Sequence, residues 1–423
     1  MTTPLRTAEV IAVGSELLGW TRLDTNSLFI AEQLSRLGIE LKGKAVVGDD
    51  RARLTNVFRQ SLARTDLVVL TGGLGPTDDD LTREAVADAL GLELVEDESI
   101  TVSIRHRFER RGMRMPEVNR RQAMVPRGAE SLSNANGSAP GLSIGVNAKL
   151  VVLLPGPPRE LQPMLLALCA RDGAIGRRAG SERLYTVSLF TTGVSESHVE
   201  ELVQPIYATW RDLPTPIETT ILATPGQVEL HLTLRSADKD AAVRTLERSR
   251  DELATAIGDA AFSADGRQLP RVVGDMLRER NLTVAAAESC TGGLLMQRLT
   301  DVAGSSAYVK GGVVAYSNEL KARLLGVDEA LLTAHGSVSE PVAAAMAEGL
   351  RRQTEADVCV AITGVAGPGG GTEAKPVGTV VIAILIDGHP LAVRTHLFPG
   401  GREMIRLQAT QVALDRVRRM LMQ

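Results

Sequence analysis

The sequence predicts a multidomain α/β protein, and three observations support this prediction. The chain has 423 residues, which is more than one hydrophobic core usually contains. Its composition, 44% hydrophobic and 23% charged, is ordinary for a globular protein. Short apolar runs alternate with segments of helical periodicity, which is typical of a sheet covered by helices. We expect domains over residues 1–170, 171–265 and 266–423.

Charge and cysteine content narrow the function classes. The formal net charge of -4 argues against nucleic acid as the main partner, because phosphate binding needs a basic face. The cysteines Cys169, Cys290 and Cys359 are far apart, without metal-ligand spacing or a disulfide framework. The N-terminal residues lack the pattern of a signal peptide, and no apolar run is long enough to span a membrane. These features predict a cytoplasmic protein.

The first domain reads as alternating strands and helices. AEVIAVG, LKGKAVV and DLVVLTGG are strand candidates, separated by helices in DTNSLFIAEQLSRLG and RARLTNVFRQSLART. Ligands of such sheets bind beyond the carboxyl ends of the strands. We therefore expect a ligand site in the loops 14–26, 72–82 and 155–160, each of which follows an apolar run.

The loop TGGLGPTDDDLT combines glycines with three consecutive acids. Gly72, Gly73 and Gly75 let a backbone approach a phosphate closely, and the carboxylates of Asp78 and Asp79 could hold a divalent cation beside it. The alternative is that the acids only cap the helix that follows and favour the positive end of its dipole. Further candidates for the same nucleotide or phosphate site are Glu16, Asp24, Asn26, Thr77, Pro155, Gly156 and Glu160.

These loops resemble the molybdopterin-binding fold and, more closely, the amino-terminal domain of the CinA family. The matching motifs are GSELL, DTN, TGGLGPTDDDLT and PGPPRE. One departure is the turn after GSELL, where this chain has Gly19 and Trp20. The resemblance implies a three-layer α/β domain that hydrolyses the pyrophosphate of ADP-ribose. It also implies a divalent metal of unknown identity, held by Asp78 and Asp79.

The middle segment reads as a small α+β module. YTVSLFTTG and the strictly alternating VELHLTLR are strands, and helices begin near Ser195 and Lys239. The module resembles the middle domain of the same family, which is similar in shape to an RNA-binding KH domain, but the GXXG clamp for RNA is absent. We interpret it as a spacer or a dimer contact, and the resemblance implies a homodimer.

The last domain begins with AESCTGG, which follows a buried strand at 284–288. Free backbone N–H groups at the next helix, with the hydroxyls of Ser289 and Thr291, would suit a phosphate or a carboxylate. The glycine-rich loop GVAGPGGGTEAKP after Thr363 is expected to wrap a ligand, or else to be a flexible connection. Arg402 opens the final helix near that edge and could bind a phosphate.

The same stretch contains what is needed to activate a hydroxyl without a histidine. Ser306 with Lys321 as base and Tyr316 as relay would be such a set, because a buried lysine can lose its proton near neutral pH. Ser289 and Cys290 compete for the role of nucleophile. The alternative is that these residues are ordinary turn, strand and surface positions.

AESCTGG, AGSS, GGVVAYSNELK, ITGVAGPGGG and KPVGTV resemble the carboxy-terminal CinA domain. The resemblance implies a three-layer α/β nicotinamide mononucleotide amidohydrolase that needs no cofactor. It implies Ser306 as nucleophile, with Tyr316 and Lys321 assisting. The substrate contacts implied are Ser289, Thr291, Gly292, Thr363, Gly364, Gly367 and Arg402.

The resemblance implies small-molecule nucleotides as partners of both end domains. Other functions remain open at this stage. The chain could be a nucleotide- or molybdopterin-binding protein with a non-catalytic first domain, or a partner-recruiting factor in competence.

Overall fold

The structure is a computed structural model that describes residues 3–423. The chain divides into two compact units, one formed by 1–185 with 235–242 and the other by 186–234 with 243–423. Both are α/β, so the predicted fold class is confirmed. No helix within residues 3–423 has the length and apolar character needed to cross a bilayer.

The first unit is built on a six-stranded sheet with helices on both faces. The strands of this unit are β1 (Thr7–Val13), β2 (Glu40–Val47), β3 (Leu67–Thr71), β4 (Leu94–Glu96), β5 (Met124–Pro126), β6 (Glu130–Leu132), β7 (Gly141–Val146) and β8 (Lys149–Leu154). Strands β4 and β5 pair with each other in a separate two-stranded sheet. Its helices are α1 (Asn26–Arg36), α2 (Arg51–Arg64), α3 (Thr82–Leu90), α4 (Glu98–Glu109) and α5 (Pro158–Cys169).

The strand order of this sheet is β2-β1-β3-β8-β7-β6, and the first four strands are parallel. Ala12 pairs with Thr71, and Thr71 pairs with Leu154. The three ligand loops predicted from the sequence therefore leave the sheet at the same edge. Strands β7 and β6 are antiparallel additions, because only the tight turn at Asn147 and Ala148 joins β7 to β8 and no helix crosses over.

The remaining strands of the chain form two further sheets. They are β9 (Arg183–Thr192), β10 (Ile217–Thr224), β11 (Gln227–Ser236), β12 (Ala261–Ser263), β13 (Val284–Glu288), β14 (Val309–Val314), β15 (Val358–Gly364), β16 (Thr379–Ile386) and β17 (Ala392–Leu397). The helices are α6 (Glu196–Tyr207), α7 (Lys239–Ile257), α8 (Leu269–Glu279), α9 (Leu294–Thr300), α10 (Asn318–Leu325), α11 (Glu329–His335), α12 (Glu340–Thr354) and α13 (Arg402–Leu421).

The middle module is a four-stranded sheet in the order β10-β11-β9-β12. Its last strand, Ala261–Ser263, pairs with β9. The amide of Gln411, in α13, lies 3.4 Å from the hydroxyl of Thr192 in β9. Residues 186–234 and 266–423 thus share one compact unit. The three-domain division at 170 and 265 stays a prediction.

The last sheet has the order β14-β13-β15-β16-β17, with helices α8, α9 and α13 on one face and α10, α11 and α12 on the other. Strands β14, β13 and β15 are parallel, as βαβ units require. Strands β16 and β17 run antiparallel, because the loop 365–378 between β15 and β16 contains no helix. Strand β13 is central and its residues are small or apolar except Glu288 at its end.

Candidate functional sites

The turn after β13 brings a serine and a lysine together. The Lys321 ammonium donates a hydrogen bond of 3.1 Å to the Ser289 hydroxyl, and both residues are buried. Helix α10 carries Lys321 and begins at a Ser317 cap, whose hydroxyl accepts from the Leu320 N–H. The strand pairing holds the other partner, because the Ser289 N–H donates to the Ile362 carbonyl in β15. We refer to these two residues as the Ser289–Lys321 pair.

Lys321 has an unusual electrostatic environment. Within residues 3–423 no carboxylate forms an ion pair with it. Burial lowers the pKa of Lys321 below its usual range, since the charged form loses its hydration. A lysine in this state releases its proton more readily than one on the surface, which is what a general base needs.

Cys290 is next in the chain but is a poor nucleophile candidate. Burial raises the pKa of its thiol to about 12, although the nearby cations of Lys321 and Arg402 act in the opposite direction. At neutral pH the thiolate, which is the reactive form, is therefore scarce.

The prediction that Ser306 joins Tyr316 and Lys321 is wrong in its geometry. Val309 pairs with Val284 at one end of β14, and Val314 pairs with Glu288 at the other. Ser306 precedes β14 and is exposed, whereas Tyr316 and Lys321 follow it. The length of β14, roughly 16 Å at the usual rise per residue, separates Ser306 from the edge where Lys321 lies.

The expected cradle of free N–H groups at the start of α9 is also corrected. The buried Glu288 carboxylate accepts from the N–H groups of Gly293, Leu295 and Met296, at 3.0, 3.1 and 2.9 Å. The negative charge of this side chain lies at the positive end of the helix dipole. An anionic ligand cannot use those three donors, which are already occupied. Sequence reasoning missed this role because Glu288 reads simply as the last residue of a strand.

Arg402 connects the two loops that flank the pair. Its guanidinium donates to the Tyr316 hydroxyl and to the Gly367 carbonyl, both at 2.8 Å. Tyr316 is thus oriented by Arg402, and its ring is 56% exposed. The glycine-rich loop is fixed to the start of α13, which favours the ligand-wrapping interpretation over a loose connection.

The other predicted contacts lie around the same turn. Thr363 is buried and its hydroxyl donates to the Ser337 carbonyl, and Gly364 packs against Thr379 in β16. The Thr291 hydroxyl is buried and has no hydrogen-bond partner within residues 3–423, whereas the Thr291 carbonyl accepts from Arg406. Arg406 was not predicted, although it lies four residues after Arg402 on the same helix face. Gly292 is exposed with a positive φ of 58°.

The first unit contains a large cavity at the edge predicted to bind a ligand. We call this space of about 790 Å³ the N-terminal cavity. Ten of the predicted residues line it: Glu16, Asp24, Asn26, Gly72, Gly73, Gly75, Asp79, Pro155, Gly156 and Glu160. Thr77 and Asp78 do not. The cavity also has four arginines that were not predicted, Arg22, Arg107, Arg111 and Arg159, although the basic run RHRFERR around two of them is visible in the sequence.

The glycines of TGGLGPTDDDLT are needed for a reason other than the predicted one. A Cβ at Gly72 would lie 2.2 Å from the Val13 carbonyl, and one at Gly73 would lie 2.2 Å from the Thr82 hydroxyl. The loop therefore packs against its own unit too closely for any side chain. Arg83, which is buried, donates to the Leu74 and Gly75 carbonyls and holds the loop from beneath.

The carboxylates of this loop do not form a metal centre. Asp78 extends into solvent and forms a 2.8 Å ion pair with Arg121, and Asp80 accepts from the N–H and hydroxyl of Thr77. Asp24 accepts from Ser27 at the start of α1. Within residues 3–423 no three Asp, Glu, His or Cys side chains are grouped as metal ligands. The donor set of this chain alone does not fit the predicted cation at Asp78 and Asp79.

Two polar side chains of the cavity lining, Asn26 and Glu160, form hydrogen bonds within the first unit. The Asn26 amide donates to the Gly156 carbonyl at 2.7 Å and so ties two of the loops together, while its own oxygen is buried without a partner in the described part of the chain. Glu160 accepts from Asn134 at 2.7 Å. The Asn26 oxygen is therefore an acceptor available to a ligand.

The fold and sites define a two-unit α/β protein with a molybdopterin-binding-like first part. Residues 9–172 match the family described as "Probable molybdopterin binding domain", and residues 266–421 match "CinA C-terminal domain". The chain belongs to the CinA family. It is 46% identical over 418 residues to a CinA-like protein of Koribacter versatilis, covering 98% of this chain and 99% of that protein.

Two further relatives illustrate the match. A CinA-like protein of Solibacter usitatus is 42% identical over 412 residues, covering 97% of each chain. A crystal structure of competence/damage inducible protein CihA from Agrobacterium tumefaciens is 40% identical, covers 37% of this chain and 94% of that one, and has a TM-score of 0.36.

Proposed function

We propose that the second unit is a serine amidohydrolase that converts nicotinamide mononucleotide to nicotinate mononucleotide and ammonia. The observation that carries this proposal is the hydrogen bond between the buried Lys321 ammonium and the Ser289 hydroxyl. A lysine with a lowered pKa and no carboxylate partner in the described residues is suited to accept the proton of a serine. Ser289 therefore replaces Ser306 as the assigned nucleophile.

The reaction follows from this pair. Neutral Lys321 takes the hydroxyl proton as the Ser289 oxygen attacks the carboxamide carbon, and the resulting ammonium then protonates the departing nitrogen. Ammonia leaves and an ester on Ser289 remains. A water molecule, deprotonated by the same lysine, attacks this ester and releases the carboxylate with the serine restored.

Backbone donors for the developing oxyanion are available at the same turn. Within residues 3–423 the N–H groups of Cys290 and Thr291 have no backbone or side-chain acceptor. Donors next to the nucleophile in the chain are the usual source of an oxyanion hole. We assign these two amides to that role.

The substrate phosphate needs cationic and hydroxyl partners. Arg402 lies at the start of α13 and Arg406 one turn later, and the Thr291 hydroxyl has no partner in the described part of the chain. Arg402 is bound to neutral oxygen atoms only, so its charge remains available to a phosphate. We propose that Arg402 and Thr291 hold the phosphate and that Tyr316 borders the pyridine ring.

The test is ammonia release from nicotinamide mononucleotide by the purified chain, with a metal chelator present throughout. We expect Ser289→Ala to reduce release by more than about a thousandfold, since it removes the attacking atom. Ser306→Ala is the matched control, because Ser306 is an exposed serine of the same unit. Loss of activity in Ser306→Ala with full activity in Ser289→Ala would reverse the assignment.

A second activity is proposed for the first unit, hydrolysis of the pyrophosphate of ADP-ribose. The size of the N-terminal cavity and its four arginines favour a ligand with two phosphates. A cation, if required, would have to share the ligand's own phosphate oxygens, since the protein side chains do not assemble a site by themselves. Release of AMP from ADP-ribose, measured with each divalent cation and with chelator, tests this proposal. Binding without release would leave a nucleotide-binding unit.

A further inference from the structure

A cluster of exposed apolar side chains borders the N-terminal cavity. Trp20 is 96% exposed, Leu23 is 88% exposed and Leu18 is 56% exposed. All three lie between β1 and α1, in the short 3-10 helix Ser15–Leu18 and the irregular segment 19–25 that follows it. Single exposed apolar residues are common, but three within six positions require an explanation.

The loop that carries Trp20 is anchored on both sides and forms part of the cavity wall. Before it, the Ser15 N–H donates to the Asp49 carboxylate at 2.9 Å. After it, the Asp24 carboxylate accepts from the Ser27 N–H at 3.0 Å. Between these anchors, Leu17, Arg22 and Leu23 line the cavity. Trp20 itself does not line the cavity, but it lies two residues before Arg22 and three before Leu23, and its side chain is free to meet a ligand bound beside them.

The cavity offers different partners to different parts of a ligand. Arg107 and Arg111 lie in its wall and suit phosphate oxygens, and Asn26 supplies an unpaired acceptor. The aromatic residue of the cavity wall, Phe108, is partly buried and packs against the hydrophobic core, so much of its surface is already covered, whereas the Trp20 side chain is almost fully exposed. An indole provides a large flat surface that stacks on a heterocyclic base, and such stacking tolerates many bases.

We propose that Trp20 stacks on the heterocyclic base of a nucleotide held in the N-terminal cavity, with Leu23 covering the edge of that base. This assigns Trp20 as the residue that distinguishes nucleotides from other phosphorylated ligands. The inference rests on the proposal that the first unit binds ADP-ribose. It adds the part of the ligand that no predicted site residue contacts.

The chain is well suited to a direct spectroscopic test, because it contains two tryptophans. Trp210 is 6% exposed and buried in the second unit, so the emission of Trp20 is the part that a ligand of the first unit can alter. Titration of the full chain with ADP-ribose, in chelator to prevent turnover, should quench and shift this emission. The change should be absent in Trp20→Phe.

Affinities from calorimetry complete the test. Trp20→Ala should weaken ADP-ribose binding by about tenfold to a hundredfold, whereas inorganic pyrophosphate, which has no base, should bind equally to both proteins. Trp20→Phe should retain most of the affinity, because a phenyl ring still stacks. Leu222→Ala, which removes a half-exposed leucine from the other unit, is the control and should bind as the parent does.

Four results would overturn the assignment. Equal ADP-ribose affinity in Trp20→Ala and the parent would remove Trp20 from the site while leaving nucleotide binding intact. Equal loss of ADP-ribose and pyrophosphate would indicate a collapsed loop instead of a lost stack. A change in sedimentation of Trp20→Ala from dimer to monomer, with unchanged affinity, would identify a second copy of the chain as the occupant of this surface. Failure of the parent to bind any adenine nucleotide would instead refute the proposed function of the first unit, and this inference with it.

Discussion

The two candidate sites of this protein differ in how their charged groups are satisfied. In the loops that form the N-terminal cavity, several carboxylates already have partners: Asp80 is paired with Thr77 and Asp24 with Ser27, and Asp78, outside the cavity lining, is paired with Arg121. In the second unit, Lys321 is buried, hydrogen-bonded to a neutral hydroxyl, and has no carboxylate partner in the described residues. The N-terminal cavity is large and several of its carboxylates are paired, whereas the Ser289–Lys321 pair holds a charge that burial makes unfavourable.

This difference suggests a division of work. An open cavity whose carboxylates are already paired binds a ligand through shape and complementary charge. Its chemistry then depends on the groups that the ligand itself supplies. A desolvated lysine beside a serine is already shifted toward the reactive protonation state. We therefore expect changes at the pair to affect catalysis strongly and changes at the cavity carboxylates to have smaller, ligand-dependent effects.

The largest effect is expected from Lys321→Met, which removes the proposed base. Ammonia release should fall by more than about a thousandfold. The free energy of unfolding should rise by about 1 kcal/mol at neutral pH, because the desolvated charge is gone and the apolar volume is kept. Lys310→Met is the control: Lys310 is exposed and donates to the Thr354 and Glu355 carbonyls, so this variant should keep full ammonia release and should not gain stability. A destabilised, inactive Lys321→Met protein would indicate a structural lysine and contradict the comparison.

The pH dependence of ammonia release tests whether Lys321 acts as the base. Lys321 must be neutral to act as a base, so kcat/KM should rise with pH as its proton is lost. Because burial lowers the pKa of Lys321, the midpoint of this rise should lie below the ordinary pKa of a lysine. Stability has the same sign: the unfolded chain binds the proton more tightly, so stability should increase as pH rises from the lowered pKa to the ordinary one. A flat profile from pH 6 to 10 would exclude this lysine as the base.

Glu288→Gln tests whether the turn carrying Ser289 depends on the buried carboxylate. An amide cannot accept from all three N–H groups, since one of its two ends is itself a donor. We expect a loss of about 1–3 kcal/mol in the free energy of unfolding, measured by urea denaturation. Glu329→Gln, in the first turn of the exposed helix α11, should cost less than about 1 kcal/mol. Equal effects in the two variants would show that the buried hydrogen bonds contribute little.

The smallest effects are expected in the N-terminal cavity. Asp79→Asn should strengthen ADP-ribose binding a few-fold when chelator is present, because Asp79 lines the cavity and a negative charge that repels the phosphates is removed. Asp78→Asn removes only an exposed ion pair, worth about 0–1 kcal/mol, and should leave both binding and release unchanged. A larger effect in Asp78→Asn than in Asp79→Asn would contradict this reading of the loop.

Much of the fold could be predicted from the sequence because its signals are local. Alternating apolar runs and helical segments identify the parallel strands, and the rule that ligands bind beyond their carboxyl ends predicts the edge where the N-terminal cavity lies. The antiparallel direction of the strands toward one edge of each sheet was not predicted, since it depends on whether a connection contains a helix or only a turn. The β12 strand is three residues long and is defined by its pairing with β9 alone.

The catalytic residues of the second unit were predicted less well, because their proximity depends on how the residues of neighbouring strands pair. Ser306 and Lys321 are close in sequence and of the right chemical types, but one precedes β14 and the other follows it. Ser289 and Lys321 are further apart in sequence and meet because β13 and β14 are parallel neighbours whose carboxyl ends coincide. The hydrogen bonds that stabilise the buried side chains of Glu288 and Arg83 could not be predicted either. Each of these side chains bonds to backbone groups of a neighbouring loop or helix, and the sequence does not reveal those contacts.

The assignment of Ser289 as the nucleophile is tested most directly by locating the covalent intermediate. The chain would be acid-quenched during turnover of nicotinamide mononucleotide, digested with trypsin and analysed by mass spectrometry. Cleavage after Arg280, Arg298 and Lys310 separates Ser289, on the peptide 281–298, from Ser306, on the peptide 299–310. If Ser289 is the nucleophile, the acyl group will be found on Ser289. An acyl group on Ser306 or on Cys290 would contradict this assignment.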